Sequence, residues 1–435
     1  MRSMHSKWPG RQRGAAALLV VVVLFFILAM VTAYAGRNLI FEQRTSINNQ
    51  RAAQALEVAE AGVDFAISRL GSGWVDAKCV PTTVAAAGVN TFRERYLSQD
   101  ANGRFDVSGA LVALRPTCML LSNGPDCSCP AAGGAPDLIE PVGLAPTFQL
   151  RFESSGLAQA GIVRVRSLGC SSIGNQCYAG RAANADAVAE VEVLLGLNSA
   201  LATPPTAPFI VRGSLNANGG ALTVVNTYTD TTTRGITIDA GGAVTNGDNL
   251  RLMSRPGTPS AASILSLDRS LSDLSTDQLF VSLFGMDRTT YRTQPAAMRI
   301  TCAGDCSTAI AAAAATNPGR IIWAQGPVSI DSNVVLGSPA VPLMLVVQGN
   351  LTVAANVTMH GVLYLHDPST VAGHTIQWTT AAGSTSIRGA VIAEHNLSVI
   401  GAPTVVFSPE VLRTINLTQG SMVRVPGSWR DFTGS

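Results

Sequence analysis

Residues 11–30 read RQRGAAALLVVVVLFFILAM, two arginines and a glycine set directly against an unbroken apolar run. From Ala15 to Gly36 there are 22 residues and no charge. At a rise of about 1.5 Å per residue they form a helix roughly 33 Å long, enough to cross a bilayer core. Ala33-Tyr34-Ala35 has the small-residue pattern of a signal-peptidase site. The apolar region of a cleaved signal is only about 7–15 residues, however, so the longer run here favours a retained helix, with a cleaved signal the alternative. Arg2, Lys7, Arg11 and Arg13 all precede the run, which holds that end in the cytoplasm.

Beyond Arg37 the chain turns polar, yet helical spacing continues. Ala52, Ala55, Leu56, Ala59, Val63, Ala66, Ile67 and Leu70 fall on one helix face, and Gln50, Arg51, Gln54, Glu57, Asp64 and Arg69 on the other. Neither proline nor a turn cluster interrupts residues 15–70, and Gly71-Ser72-Gly73 supplies the stop. The spacing therefore predicts one helix over 15–70, half in the membrane and half outside. Small residues let helices approach closely, so the alanine-rich face around Ala59 is expected to pack against helices of neighbouring subunits.

The basic leader ending in glycine, the apolar helix and the stretch NQRAAQALEVAEAG (Asn49 to Gly62) together resemble type IV minor pilins of the PilX type. The resemblance implies that prepilin peptidase cuts between Gly14 and Ala15, with methylation of the new N-terminus at Ala15. It implies a helix that stays in the inner membrane, head in the periplasm, until the subunit enters a filament. Other minor pilins, the major pilin and a tip adhesin are the implied partners. The sequence departs from the pattern at the fifth mature position, where pilin-like subunits carry glutamate and this chain has Leu19. A carboxylate there pairs with the neighbouring subunit's terminal amine, so its loss fits a tip-proximal subunit. The large minor pseudopilin of type II secretion systems also lacks it, which makes a pseudopilin the nearest alternative.

Composition bounds the remainder. Of 435 residues, 47% are hydrophobic and 13% charged, with 41 glycines and 22 prolines, which suits short strands and many turns. The net charge is +2; without the four leader cations it becomes 2 − 4 = −2, which leaves no electrostatic footprint for nucleic acid. Eight cysteines in an exported chain point to disulfides. Their connectivity stays open among about 105 arrangements, with Cys170–Cys177 and Cys302–Cys306 the natural local pairs. CSC at 127–129 is the one hint of zinc, but no Cys-x-x-Cys occurs and no histidine lies between residues 6 and 359, so no metal or other cofactor is expected.

The sequence therefore divides into a leader (1–14), an assembly helix (15–70), a cysteine-rich head (71–200) and a β-rich domain (201–435). In the head, FQLRF (148–152), GIVRVRS (161–167) and AVAEVEVLL (187–195) alternate as half-buried antiparallel strands do. NSALATPPTAP (198–208) reads as a linker. Past it, FIVRGSLNA, IIWAQGPVSI, MLVVQGNLTV and AVIAEHNLSV share one pattern. Gly326 to Gly349 spans 23 residues and Gly349 to His395 spans 46, twice that. A period near 23 suits coils of a parallel β-solenoid, a β-sandwich being the alternative. STDQLFVSLFG from Ser275 opens with a capping box, and STAIAAAAA from Ser307 adds a second helix inside the solenoid. The fold class is thus α+β: a long helix, an antiparallel pilin-like sheet and a solenoid-like domain with a helical insertion.

His360, His366, His374 and His395 gather late in the chain with Asp367 and Glu394. No metal-ligand spacing is met, so they read as solvated turn residues. Asp331, Asp367, Glu394 and Glu410 are too scattered for a carboxylate pair of the kind that cleaves polysaccharide. No nucleophile elbow or phosphate loop occurs either. The expectation is a non-enzymatic assembly subunit, or, from another class, a membrane-anchored solenoid that binds surfaces.

Overall fold

The structure, a computed structural model, describes residues 13–86, 89–131, 134, 137–138, 145–157, 159–172, 177, 187–230, 233–245, 247–371, 373–381 and 385–431. Its first element is a helix of 58 residues, Arg13–Leu70, close to the 15–70 read from the spacing. Every described residue from Leu18 to Gln50 is exposed, while Ala55, Ala59, Val63 and Ala66 are each fully buried.

What buries them is the chain's own sheet. Six antiparallel strands run in the order Gly420–Arg424, Val188–Ser199, Ile162–Cys170, Thr147–Ser154, Thr117–Leu121 and Gly124–Ser128. The three strands read by alternation are all present, each a few residues longer than read. Helix and sheet meet at small residues: a Cβ at Gly169 would collide with the Ala55 carbonyl and the Ala59 amide. The expectation that Ala59 faces neighbouring subunits is therefore wrong. Small size permits a close neighbour without specifying whose it is, and the head's own strand takes the place. Phe65, Phe92, Tyr96, Phe148 and Phe152 complete this core.

From Phe209 to Phe407 the paired strands are parallel and stack as coils of a solenoid. Along the stack the order is Ala297–Thr301, Ile321–Gln325, Leu343–Gln348, Val357–His366, Thr385–Ala393, Phe209–Val211, Ile238–Ala240 and Ile264–Leu265. The first coils in the chain thus sit beyond the last ones. The segment 266–296 carries the chain back over seven strand spacings, about 34 Å at ~4.8 Å each. It does so as helices Arg269–Ser272, Thr276–Phe284 and Arg288–Thr293, the helical insertion expected from the sequence. Ser275 and Gln278 form the capping box, with Gln278 N donating to Ser275 Oγ at 3.1 Å and Ser275 N to Gln278 Oε1 at 2.8 Å.

The period needs amendment. Ile321 pairs with Met344, 23 residues on, but Met344 pairs with Val362 and Val362 with Ala390, steps of 18 and 28. Their sum, 46, mimics two even coils. The coils stay in register because strand pairing constrains the straight segments and leaves the turns free to vary. Gly361 and Gly389 are neighbours in this ladder at φ +153° and +143°, and a Cβ at either would strike the carbonyl of the adjacent coil.

The stretch 198–208 is not a loose linker. Strand Val188–Ser199 runs into it, and Ala200, Leu201 and Ala207 are buried beside Phe280, Phe284 and Ile415. Helix Pro409–Thr418 then leads into Gly420–Arg424, the edge strand of the head sheet. Arg93 ties that junction together, donating to the carbonyls of Thr418 (2.6 Å), Gly420 (3.0 Å) and Leu70 (3.2 Å).

One carboxylate in the stack is held at a cost. Burial, and then the neighbouring Asp268 carboxylate, push Asp239 up to about 6. A carboxyl group whose folded pKa exceeds its unfolded value binds protons better when folded. It therefore loses stability as pH rises from about 4 to 6, and the penalty is complete above that. Asp239→Asn should raise the unfolding free energy measured by urea titration at pH 7.5 by about 1–2 kcal/mol after discounting for partial solvent screening, and give no gain at pH 4. An equal effect at both pH values would remove the ionic explanation.

Candidate functional site

Two features stand apart from the scaffold. The first is the bare half of the N-terminal helix. From Leu18 to Tyr34 its apolar side chains are exposed to between 45% and 72%, values no folded core leaves open without a partner. The helix is long and apolar enough to cross a membrane. Gly14 and Ala15 lie in its first turn, one and two residues inside the helix start at Arg13.

The second is a buried ionic cluster. The parallel register pairs Leu365 with Ala393, so the next residues, His366 and Glu394, lie side by side on stacked coils. Glu394 is fully buried and His366 is 6% exposed. Arg288, from the returning helices, reaches in with Nη1 at 2.9 and 3.1 Å from the two carboxylate oxygens. Tyr364 Oη donates to Glu394 at 2.9 Å, and so does the Asp367 amide. His366 Nδ1 also contacts the carboxylate and Arg288. Burial drives Glu394 upward, but the His366 hydrogen bond and the charges of His366 and Arg288 outweigh it and leave it below the ordinary carboxylate value. Burial lowers Arg288, yet Glu394 leaves it raised overall; burial also pushes Tyr364 well up.

The reading of the late histidines as solvated turn residues is corrected for His366 and His395, which are buried. His395 Nε2 lies 3.0 Å from the Asp367 carbonyl, and His374 Nε2 lies 3.2 Å from Asp367 Oδ2. His360 is elsewhere, lowered by burial and by Arg388. The physical reason is the returning helical segment, which roofs this part of the sheet. Arg288 and Arg292 joined no sequence pattern, and Arg212 and Trp323 fell within the repeated apolar stretches with nothing to mark them as site residues. The one available signal was a Glu-His pair at the end of the apolar strand AVIAEH.

Disulfides join Cys79–Cys129, Cys118–Cys127, Cys170–Cys177 and Cys302–Cys306. Among the described residues, the sulfurs of Cys79, Cys118 and Cys127 lie close enough together to suggest a metal. All three are in disulfides, so none offers a thiolate.

Helix, sheet and solenoid define the class: an α+β protein whose N-terminal helix has the length and composition of a membrane span and carries a two-part head. No family model matches the chain, and no curated protein matches it. Among solved structures it is similar to the competence-associated pilin ComZ from Thermus thermophilus, at 11% identity and a TM-score of 0.20, over 87% of this chain and 97% of that chain. A TM-score that low carries no argument about the fold, which rests on the strand pairing described above.

Proposed function

We propose that this chain is a minor-pilin-like subunit that takes part in type IV pilus assembly. The observation that carries the reading is the division of one unbroken helix. Its first half is bare and apolar from Leu18 onward, and its second half is sheathed by the head from Ala55. A plain membrane anchor does not require the spanning helix to continue, without a hinge, into the core of the domain it holds. A filament subunit does, because a rigid shaft sets how each head is spaced when the bare halves pack together. Leu19 in place of the usual glutamate supports a position at the filament tip. The PilX resemblance over residues 1–70 supports prepilin peptidase cleavage after Gly14, methylation at Ala15 and an inner-membrane precursor whose N-terminus is cytoplasmic.

Gly14→Val should leave an uncleaved precursor, since a branched side chain there obstructs the scissile bond. N-terminal sequencing should read AAALLV for the wild type and the intact leader for the variant. If the wild-type protein keeps residues 1–14 in cells that make the peptidase, the assembly reading gives way to a membrane-anchored surface-binding solenoid.

A further inference from the structure

Beside the ionic cluster, the returning helices and the stacked coils enclose an open cleft of about 670 Å³, in the size range of small-molecule sites. The carboxylates that line it or lie behind it are already engaged. Glu394 is shared by Arg288 and His366, Asp277 lies 3.0 Å from Arg288 Nη2, and Asp367 lies 3.2 Å from His374. Its other cations are not. Arg212 and Arg292 line the same cleft, and neither has a carboxylate partner among the described residues. Arg212 is held by its Nε, which donates to the Leu274 carbonyl at 2.5 Å. Arg292 Nε is buried without an acceptor.

Trp323 supplies the independent observation. It lines the cleft at 1% exposure, and its indole N–H has no acceptor among the described residues. A buried N–H is ordinarily satisfied, because leaving one unpaired forfeits its hydration with nothing in return. Two guanidinium groups without a carboxylate partner among the described residues, Trp323 with its unsatisfied indole N–H, and Gln348 therefore line one concave space. The guanidinium groups and the indole only donate, the Gln348 amide donates and accepts, and the carboxylates that line the cleft, Asp277 and Asp367, are engaged.

We propose that this cleft binds an anionic sugar unit, its carboxylate or phosphate oxygens paired with Arg212 and Arg292 and accepting the Trp323 indole N–H. The cleft is larger than a bare oxyanion, and the hydroxyls of Thr276 and Thr289 on its rim suit a polyol. The inference stands whether or not the chain enters a pilus.

The test is calorimetric titration of the full chain in detergent with galacturonate, glucose 6-phosphate and glucose. One of the two anions should bind at least about tenfold more tightly than glucose, and which one identifies the oxyanion. Arg212→Gln combined with Arg292→Gln should weaken that anion by at least about tenfold. Trp323→Phe, which removes the N–H together with part of the ring, should weaken it about fivefold in protein that still melts cooperatively. Unchanged thermal melting of the variants would show that the fold is retained. Binding of glucose as tightly as either anion, no binding of any probe, or equal affinity in folded variants would overturn the proposal.

Discussion

A glutamate at position 59 is expected to leave the head unfolded. Ala59 is fully buried between the N-terminal helix and strand Ile162–Cys170, where the backbones approach so closely that position 169 has no room for a Cβ. A carboxylate there would have neither water nor a cation to pair with, and its side chain would force helix and sheet apart. Desolvation and overpacking together cost at least about 4 kcal/mol, much of the 5–15 kcal/mol typical of a domain. The full-length variant in detergent should lose protease resistance, and its urea transition should vanish or fall far below that of the wild type. Ile47→Glu is the control. That residue is 46% exposed on the bare part of the helix, so the head should fold normally while incorporation into filaments drops. A folded Ala59→Glu head would mean that helix and sheet are not packed as described; normal incorporation of Ile47→Glu would mean that the helix is only an anchor.

Glu394→Gln should have the second largest effect, about 3–5 kcal/mol, because it keeps the shape and hydrogen-bonding reach of the side chain but removes the charge facing Arg288 and His366. The sign with pH follows from the lowered carboxyl pKa. A carboxyl group depressed in the fold contributes stability that is complete above its unfolded pKa and is lost as pH falls through the folded one. Wild type and variant should therefore differ most at pH 7 and converge in acid. Urea midpoints at pH 7 and at pH 3.5 would test this, and identical midpoints at pH 7 would show that the cluster contributes nothing net.

How much of this was legible in the residues follows the range of the forces involved. The long helix, the three alternating strands and the capping box at Ser275 were readable because each depends on neighbours within about a turn or on strand alternation. Solenoid stacking was readable in outline, since every coil must bury the same face on the next. The spacing was not: turns between coils vary freely, so steps of 18 and 28 residues passed for two of 23.

Which surface covers the alanine face, and what lies around the late histidines, were set by tertiary structure alone. An alanine stripe states that something comes close; only the folded head shows that it is Gly169 and its strand. A Glu-His pair at a strand end looks like a solvated turn until a helical segment, forced back along the whole stack by the order of the coils, lays Arg288 across it. Secondary structure responds to local pattern, which a sequence displays directly. Burial and ion pairing depend on which distant segment arrives, and here the crossing from residue 266 to 296 decides it.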